Sequence, residues 1–250
     1  MFPRTDFLGL PLHKVALWPL ISWLDGEIQA GNRRVLLGLY ASCVPVALQD
    51  AHYRADLEAA DLVYADGMGV VWGSGLLGDR VPEKMATTDM LPPIAALAAA
   101  KGYRVYLLGG APGIADRTAE RLQQTHQGLI IAGTHHGYFD PRQPEPVLDD
   151  VREAKPDILF VGMGVPLQER FVIRHREAFG ATAILTCGGL FDVASGRLPR
   201  CPAWMTAAGM EWVYRLALEP KRLWRRYLID NGRYLWQLGL GVGRQRLWGH

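Results

Sequence analysis

Along most of the chain, short apolar runs alternate with stretches of helical period. The runs fall at 34–39, 62–65, 104–108, 129–132, 157–161 and 183–186. Several are unbroken Val/Ile/Leu, the pattern of strands buried on both faces. Helical stretches lie between them at 46–59, 89–100, 114–124, 146–154 and 167–178. Repeated strand–helix alternation predicts an α/β fold, a Rossmann-like, mostly parallel sheet with flanking helices. The alternation stops at the Leu-Pro-Arg-Cys-Pro string of 198–202. Beyond it the spacing predicts a C-terminal helical appendage of two helices, 203–218 and 221–238, parted at Pro220. The expected division is a catalytic body over 1–199 and an appendage over 200–250.

Composition narrows the class without choosing a chemistry. The chain has 250 residues, 49% of them hydrophobic, enough to bury a sizeable core. Three widely spaced cysteines, Cys43, Cys187 and Cys201, make no disulfide framework and no zinc site. No apolar run reaches the roughly 18 residues of a membrane span. Asp6, His13 and Lys14 fall where a signal peptide needs its apolar core, so the expected location is the cytoplasm. His135 and His136 are adjacent, and on a strand neighbours point to opposite faces, which argues against a shared metal. No Asp-x-Asp string is present to hold a metal-bound diphosphate, and no cofactor is implied.

Charge is uneven. The net charge is +2, but the segment from Arg200 onward carries +6 and the rest −4. Five of the eight tryptophans lie in that basic segment, Trp204, Trp212, Trp224, Trp236 and Trp248. Arginine interleaved with tryptophan suits a phosphate-bearing membrane surface. The same composition serves nucleic acid, or a helix pair packed on the body by its tryptophans with a solvated arginine face.

Glycine-rich turns follow four of the strand candidates: Asp66-Gly67-Met68-Gly69, Gly109-Gly110-Ala111-Pro112-Gly113, Gly162-Met163-Gly164 and Cys187-Gly188-Gly189. Open parallel sheets bind ligands at the carboxyl ends of their strands, where glycine lets a backbone approach and a helix N-terminus favours phosphate. Together the turns point to a nucleotide or nucleotide-sugar. None matches a P-loop or a complete dinucleotide fingerprint. Asp66 ends a strand in the expected cleft, as a general base, a ribose ligand or a helix cap. Gln168 and Glu169 open the helix after Gly162–Pro166, where Glu169 could favour the helix dipole, and Asp192 follows the last turn as another candidate cap.

The strings ADLVYADGMGVVW, YRVYLLGGAPGIADRTAERL, GTHHGYF, PDILFVGMGVPLQERF and CGGLFDVASGRLPRCPAWMTAAGMEWVYRLALEPKRLWRRYL are collinear. They resemble the WecG/TagA/CpsF glycosyltransferase family, glycosyltransferase family 26, from about residue 57 to 228. The resemblance implies an inverting, metal-independent transfer of sugar from a UDP-sugar to a polyprenyl-diphosphate-linked saccharide on the inner face of the cell membrane. It implies Asp66 as catalytic base, Gln168 as active-site glutamine, and Lys84 where the family usually has arginine. It implies Arg215, Arg222 and Arg225 or Arg226 as contacts of the acceptor diphosphate. Nucleic acid is not an implied partner, and a homo-oligomer is left open.

Two departures fall at the implied sugar pocket. The usual Thr-x-Asn after the early strand is replaced by Gly38 and Tyr40, and the usual Arg-Val-Thr-Gly-x-Asp by Lys84-Met85-Ala86-Thr87-Thr88-Asp89. The donor sugar expected from them is a hexose such as glucose, or an N-acetylmannosamine type, with no preference for the latter. Against this stand a non-catalytic binding module that uses only the basic tail, and another nucleotide-binding enzyme such as an oxidoreductase. A pure binder needs neither Asp66 nor Gln168, and the incomplete fingerprint counts against the oxidoreductase.

Overall fold

The computed structural model describes residues 2–248, with side chains through Gln245. Arg246 and Trp248, counted above in the basic segment, therefore lie outside the described side chains. The chain opens with an antiparallel hairpin, β1 (Arg4–Phe7) and β2 (Leu10–His13), then α1 (Leu17–Gln29) and β3 (Arg34–Leu39). A short 3-10 turn at Ala41–Cys43 leads to α2 (Val44–Gln49), α3 (Ala51–Ala59), β4 (Leu62–Ala65), α4 (Met68–Leu76) and α5 (Thr87–Lys101). Next come β5 (Arg104–Gly109), α6 (Ile114–Thr125), β6 (Ile130–His135), α7 (Glu145–Ala154), β7 (Ile158–Gly162), α8 (Leu167–His175), β8 (Ala183–Thr186) and α9 (Leu190–Ala194). The appendage holds α10 (Ala203–Ala207), α11 (Glu211–Leu218), α12 (Pro220–Trp224), a π-helical turn at Arg225–Asp230 and α13 (Asn231–Trp248).

Six strands form one parallel sheet in the order β4-β3-β8-β7-β5-β6. The chain runs outward from β3 to β4, crosses to β5 and β6 at the other edge, then fills the centre with β7 and β8. Parallel neighbours need long crossovers, and helices supply them. Strand alternation splits the core into two apolar layers. Val35, Leu37 and Leu39 enter one with Leu159, Val161 and Ile184. Leu36 enters the other with Leu107, Phe160 and Leu185. Tyr234 and Leu238 of the appendage belong to the first layer, so the appendage shares the body's core, and Leu223 is buried as well.

The six apolar runs are the six sheet strands, with β6 shifted along the chain to end at His135. The segment 46–59 divides at Asp50, whose side chain accepts from the N–H groups of His52 and Tyr53 and caps α3. The segment 203–218 breaks at Gly209, at φ 69°. Pro220 starts α12, where its missing N–H costs nothing, and the helical run then continues into α13. His135 is the last residue of β6, so the strand alternation expected for His135 and His136 does not hold: their rings lie 4.6 Å apart.

The elements that the pattern left out have local reasons. Leu8 and Gly9 both take positive φ, 58° and 82°, the two-residue turn that matches strand twist. Leucine there is a poor signal for such a turn. The glycine turn read at Asp66-Gly67-Met68-Gly69 runs directly into a helix, Met68–Leu76, whose later residues carried no assignment. A Cβ at Gly73 would collide with the Tyr234 hydroxyl and lie 3.0 Å from the Phe7 ring, so glycine lets hairpin and appendage pack against α4.

Candidate active site

The carboxyl ends of β3, β4, β5, β7 and β8 open into a cleft of about 920 Å³, closed on its other side by the appendage. Its lining includes Gly38, Tyr40, Asp66, Gly67, Gly110, Gly162, Gly164, Gln168, Gly188, Gly189 and Asp192 from the body, and Arg215, Arg222 and Arg226 from the appendage. Gly109, Lys84, Glu169 and Arg225 do not line it.

Gly109 serves the turns themselves. A Cβ there would run into the Gly162 carbonyl, and a Cβ on Gly162 would sit 2.7 Å from the Gly188 carbonyl oxygen. The Gly110 N–H donates to Gly162 at 3.1 Å. Three turns thus pack backbone on backbone, an approach only glycine permits.

Asp66 follows β4, and its N–H donates to the Leu39 carbonyl at 2.9 Å. The helix behind it, α4, starts on Gly67 with no side-chain cap, so the carboxylate is left for the cleft. Gly38 makes room for it: a Cβ there would stand 3.1 Å from the Asp66 Cβ and 3.2 Å from Oδ2. Loss of water raises the Asp66 carboxyl to about 7. Arg226 and Lys84 oppose that shift, and Glu211 and Asp89 add to it. A carboxylate that titrates near neutrality is matched to proton transfer.

Gln168 lines the cleft, but its amide is committed to the scaffold. Its Oε1 accepts from the Gly164 and Gly188 N–H groups, both at 3.1 Å, and its Nε2 donates to Glu169 Oε1 at 2.7 Å. It straps two glycine turns together. Glu169 sits in the first turn of α8 as the helix dipole favours, but wholly buried, with Oε2 unpartnered and its carboxyl raised to about 7 by that burial. Lys84 Nζ pairs with Asp89 and Glu211, both at 3.1 Å, and Asp89 also pairs with Arg200 at 2.6 Å. Its ammonium pins the start of α11 to the body, and burial is outweighed by the two carboxylates, which raise its pKa. Asp192 lies within α9, where it pairs with Arg197 at 2.7 Å and Arg222 at 3.8 Å.

Three appendage arginines enter the cleft in different ways. Arg215 lies over the Gly189 backbone, where a Cβ would come within 2.9 Å of Nη2. Arg222 is held by Glu219 and Asp192. Arg226 stacks on Tyr40, 4.2 Å from the ring centroid, and donates from Nε to the Ser42 hydroxyl at 3.2 Å. One face of Tyr40 is therefore covered by a cation. Arg225, one position earlier on the π-helical turn, points instead to the Trp224 ring at 5.6 Å.

A family model described as "Glycosyl transferase WecG/TagA/CpsF family" matches residues 5–248. The chain belongs to that family. It is 36% identical over 182 residues to an N-acetylglucosaminyldiphosphoundecaprenol N-acetyl-beta-D-mannosaminyltransferase of Bacillus spizizenii, covering 73% of this chain and 70% of the relative. It is 33% identical over the same length and shares to the protein of that name from Bacillus subtilis (strain 168).

This glycosyltransferase also brings to its cleft residues that the motifs did not single out. Arg197 and Arg200 line it from the loop after α9, and Glu211, Trp72 and Tyr138 line it from three other segments. The two arginines sit in Ser-Gly-Arg-Leu-Pro-Arg, one short helix beyond the Cys187-Gly188-Gly189 turn assigned to the site, and that nearness was the available signal. Nothing in the sequence ties Glu211 to Lys84 across the chain.

Proposed function

We propose that this enzyme moves a sugar from a UDP-sugar, with inversion and without a metal, to a polyprenyl-diphosphate-linked saccharide. It would work at the cytoplasmic face of the membrane, in the building of a cell-surface polysaccharide. The observation that carries the reading is one cleft holding the near-neutral Asp66 carboxyl and the guanidiniums of Arg215, Arg222 and Arg226. The names of the Bacillus relatives, which act on N-acetylglucosaminyldiphosphoundecaprenol, support the acceptor class.

In this reading Asp66 takes the proton of the acceptor hydroxyl as the new bond forms, since a hydroxyl is a weak nucleophile without a base. Attack opposite the leaving UDP inverts the anomeric carbon. Charge on the departing diphosphate is met by fixed donors and cations, with the glycine turns held in register by Gln168. The appendage from Arg200 onward supplies the cations and completes the site. No helix among the described residues is long and apolar enough to cross a membrane. The basic, tryptophan-rich appendage would therefore meet the bilayer from one side.

The donor sugar is a separate part of the reading. Gly38 places no side chain beside Asp66, and Tyr40 is engaged by Arg226. Neither position offers an amide to an acetamido group, which motivates a donor without preference for N-acetylmannosamine. The deciding experiment incubates the enzyme with N-acetylglucosaminyl diphosphate lipid and competing UDP-sugars, and reads the product by mass. Product from no UDP-sugar refutes the function, and a clear preference for UDP-N-acetylmannosamine refutes the donor reading alone.

A further inference from the structure

Met68, Trp72 and Leu76 recur at four-residue spacing along α4, which stacks them on one side of the helix. The stripe starts two residues after Asp66 and runs outward for about 12 Å at 1.5 Å per residue. Met68 and Trp72 line the cleft. Trp72 and Leu76 line a second cavity of about 460 Å³, together with Val71, Gly75, Gly78 and Arg80. Trp72 is thus the wall common to both. Gly75 borders the second cavity beside the aliphatic stem of Arg80, 3.6–3.8 Å from where a Cβ would stand, so a larger side chain there fits without a clash and fills the space.

The neighbouring stripe of α4 is already occupied. Tyr234 donates to the Gly69 carbonyl at 2.6 Å and Gln245 to the Leu77 carbonyl at 2.7 Å, so α13 packs beside the Met68–Trp72–Leu76 stripe. Trp72 remains 50% exposed and Leu76 63%. Large apolar side chains in a row, leading out of a cleft that holds three guanidiniums, suit a ligand with a charged head and an apolar chain.

We propose that this channel along α4 binds the first isoprene units of the acceptor's polyisoprenyl chain. The inference rests on the acceptor class proposed above and adds where its chain goes. With the diphosphate held by Arg215 and Arg222, the chain leaves over an apolar wall, and Trp72 is such a wall: Gly209 packs on one edge of its ring, and the exposed remainder continues to Leu76. The enzyme would thereby grip part of the lipid chain outside the bilayer and recognise it directly.

The test uses two acceptors with the same sugar diphosphate, one on a three-isoprene chain and one on a methyl group. Both are assayed as monomers in buffer without vesicles or detergent. The wild type should favour the isoprenoid acceptor in kcat/KM by about tenfold or more, a modest gain for burying several methylenes. Leu76→Glu and Gly75→Leu, the first charging the channel and the second filling it, should bring the ratio near unity. Leu76→Gln replaces either variant whose melting temperature falls. A preference that survives both changes overturns the channel. So does an effect of these variants that appears only on vesicles, which would assign the stripe to the bilayer. If the wild type transfers sugar to neither acceptor, the acceptor reading has failed. If it transfers to both equally, only the channel has.

Discussion

The body and the appendage meet at one cleft but are built by opposite means. Strands β3, β4, β7 and β8 are buried almost throughout, and the glycine turns at their ends are fixed by close backbone packing. In the appendage, α10 and α11 bury no residue, and Trp204, Trp212, Trp224 and Trp236 all stand exposed. Its hold on the body runs through Tyr234 and Leu238 in the core, Arg226 on Tyr40 and Ser42, hydrogen bonds from Tyr234 and Gln245 to α4, and the pairs Lys84–Glu211, Asp89–Arg200 and Asp192–Arg222. The glycine turns and the proposed base thus come from the sheet, and most of the positive charge comes from a segment whose first helices, α10 and α11, are unburied. A site divided in this way has one half set by the sheet and another set by how the appendage docks on it.

The sharpest way to break the comparison is to remove one side. Deleting residues 200–250 should abolish transfer even to a detergent-soluble acceptor, while the remaining body still melts cooperatively and binds UDP weakly. Normal transfer by the truncated enzyme would reduce the appendage to an anchor.

Asp66→Asn keeps shape and removes basicity, and should lower turnover by about 10²–10⁴-fold with little change in UDP binding. Wild-type turnover should climb as pH rises through about 7, where Asp66 loses its proton, and the variant should lack that limb. Stability should run the other way. The folded pKa lies above the ordinary carboxylate value, so the fold favours the protonated acid. Its contribution is lost as pH rises from near 4 through 7, and Asp66→Asn should melt higher than wild type at pH 8. Near wild-type turnover would sink the assignment.

Core truncation probes the sheet half. Leu36→Ala in β3 removes a fully buried side chain and should cost about 2–5 kcal/mol in denaturant unfolding. Tuning of Asp66 across the junction is smaller. Lys84→Met removes a cation and should move the rising pH limb upward, and Glu211→Gln removes an anion and should move it downward, each by about one unit or less. Equal shifts in one direction would mean that the Lys84 pin acts only on packing. The smallest effect is expected for Trp236→Ala, within about 0.5 kcal/mol of wild-type stability, because the ring is exposed. A large loss there would show that the appendage is more deeply integrated than its burial indicates.

Much of this was legible in the residue order. Continuous apolar runs too short for helices read as strands covered on both faces, and their alternation with helices pointed to a mostly parallel sheet. Such a sheet places strand-end residues, Asp66 among them, on one rim. The motif strings and the basic tail carried the family and the direction of the chemistry. Roles that depend on distant partners were not legible. Lys84 and Gln168 read as residues that face substrate, and the structure instead gives their polar atoms to Asp89, Glu211, Gly164, Gly188 and Glu169.

Local periodicity and backbone sterics act between neighbours in the chain, so the sequence alone indicated the six sheet strands, most of the helices between them and the glycine turns at their ends. Contacts across the fold are set by which surfaces fit once those elements pack. Only the tertiary structure decided that glycines in α4 admit Tyr234, that Gly38 leaves room for a carboxylate, and that Arg226 enters the cleft while Arg225 does not. Successive residues of a helical turn point in different directions, and the docking of Tyr234 and Leu238 on the body fixed which of the two faced inward.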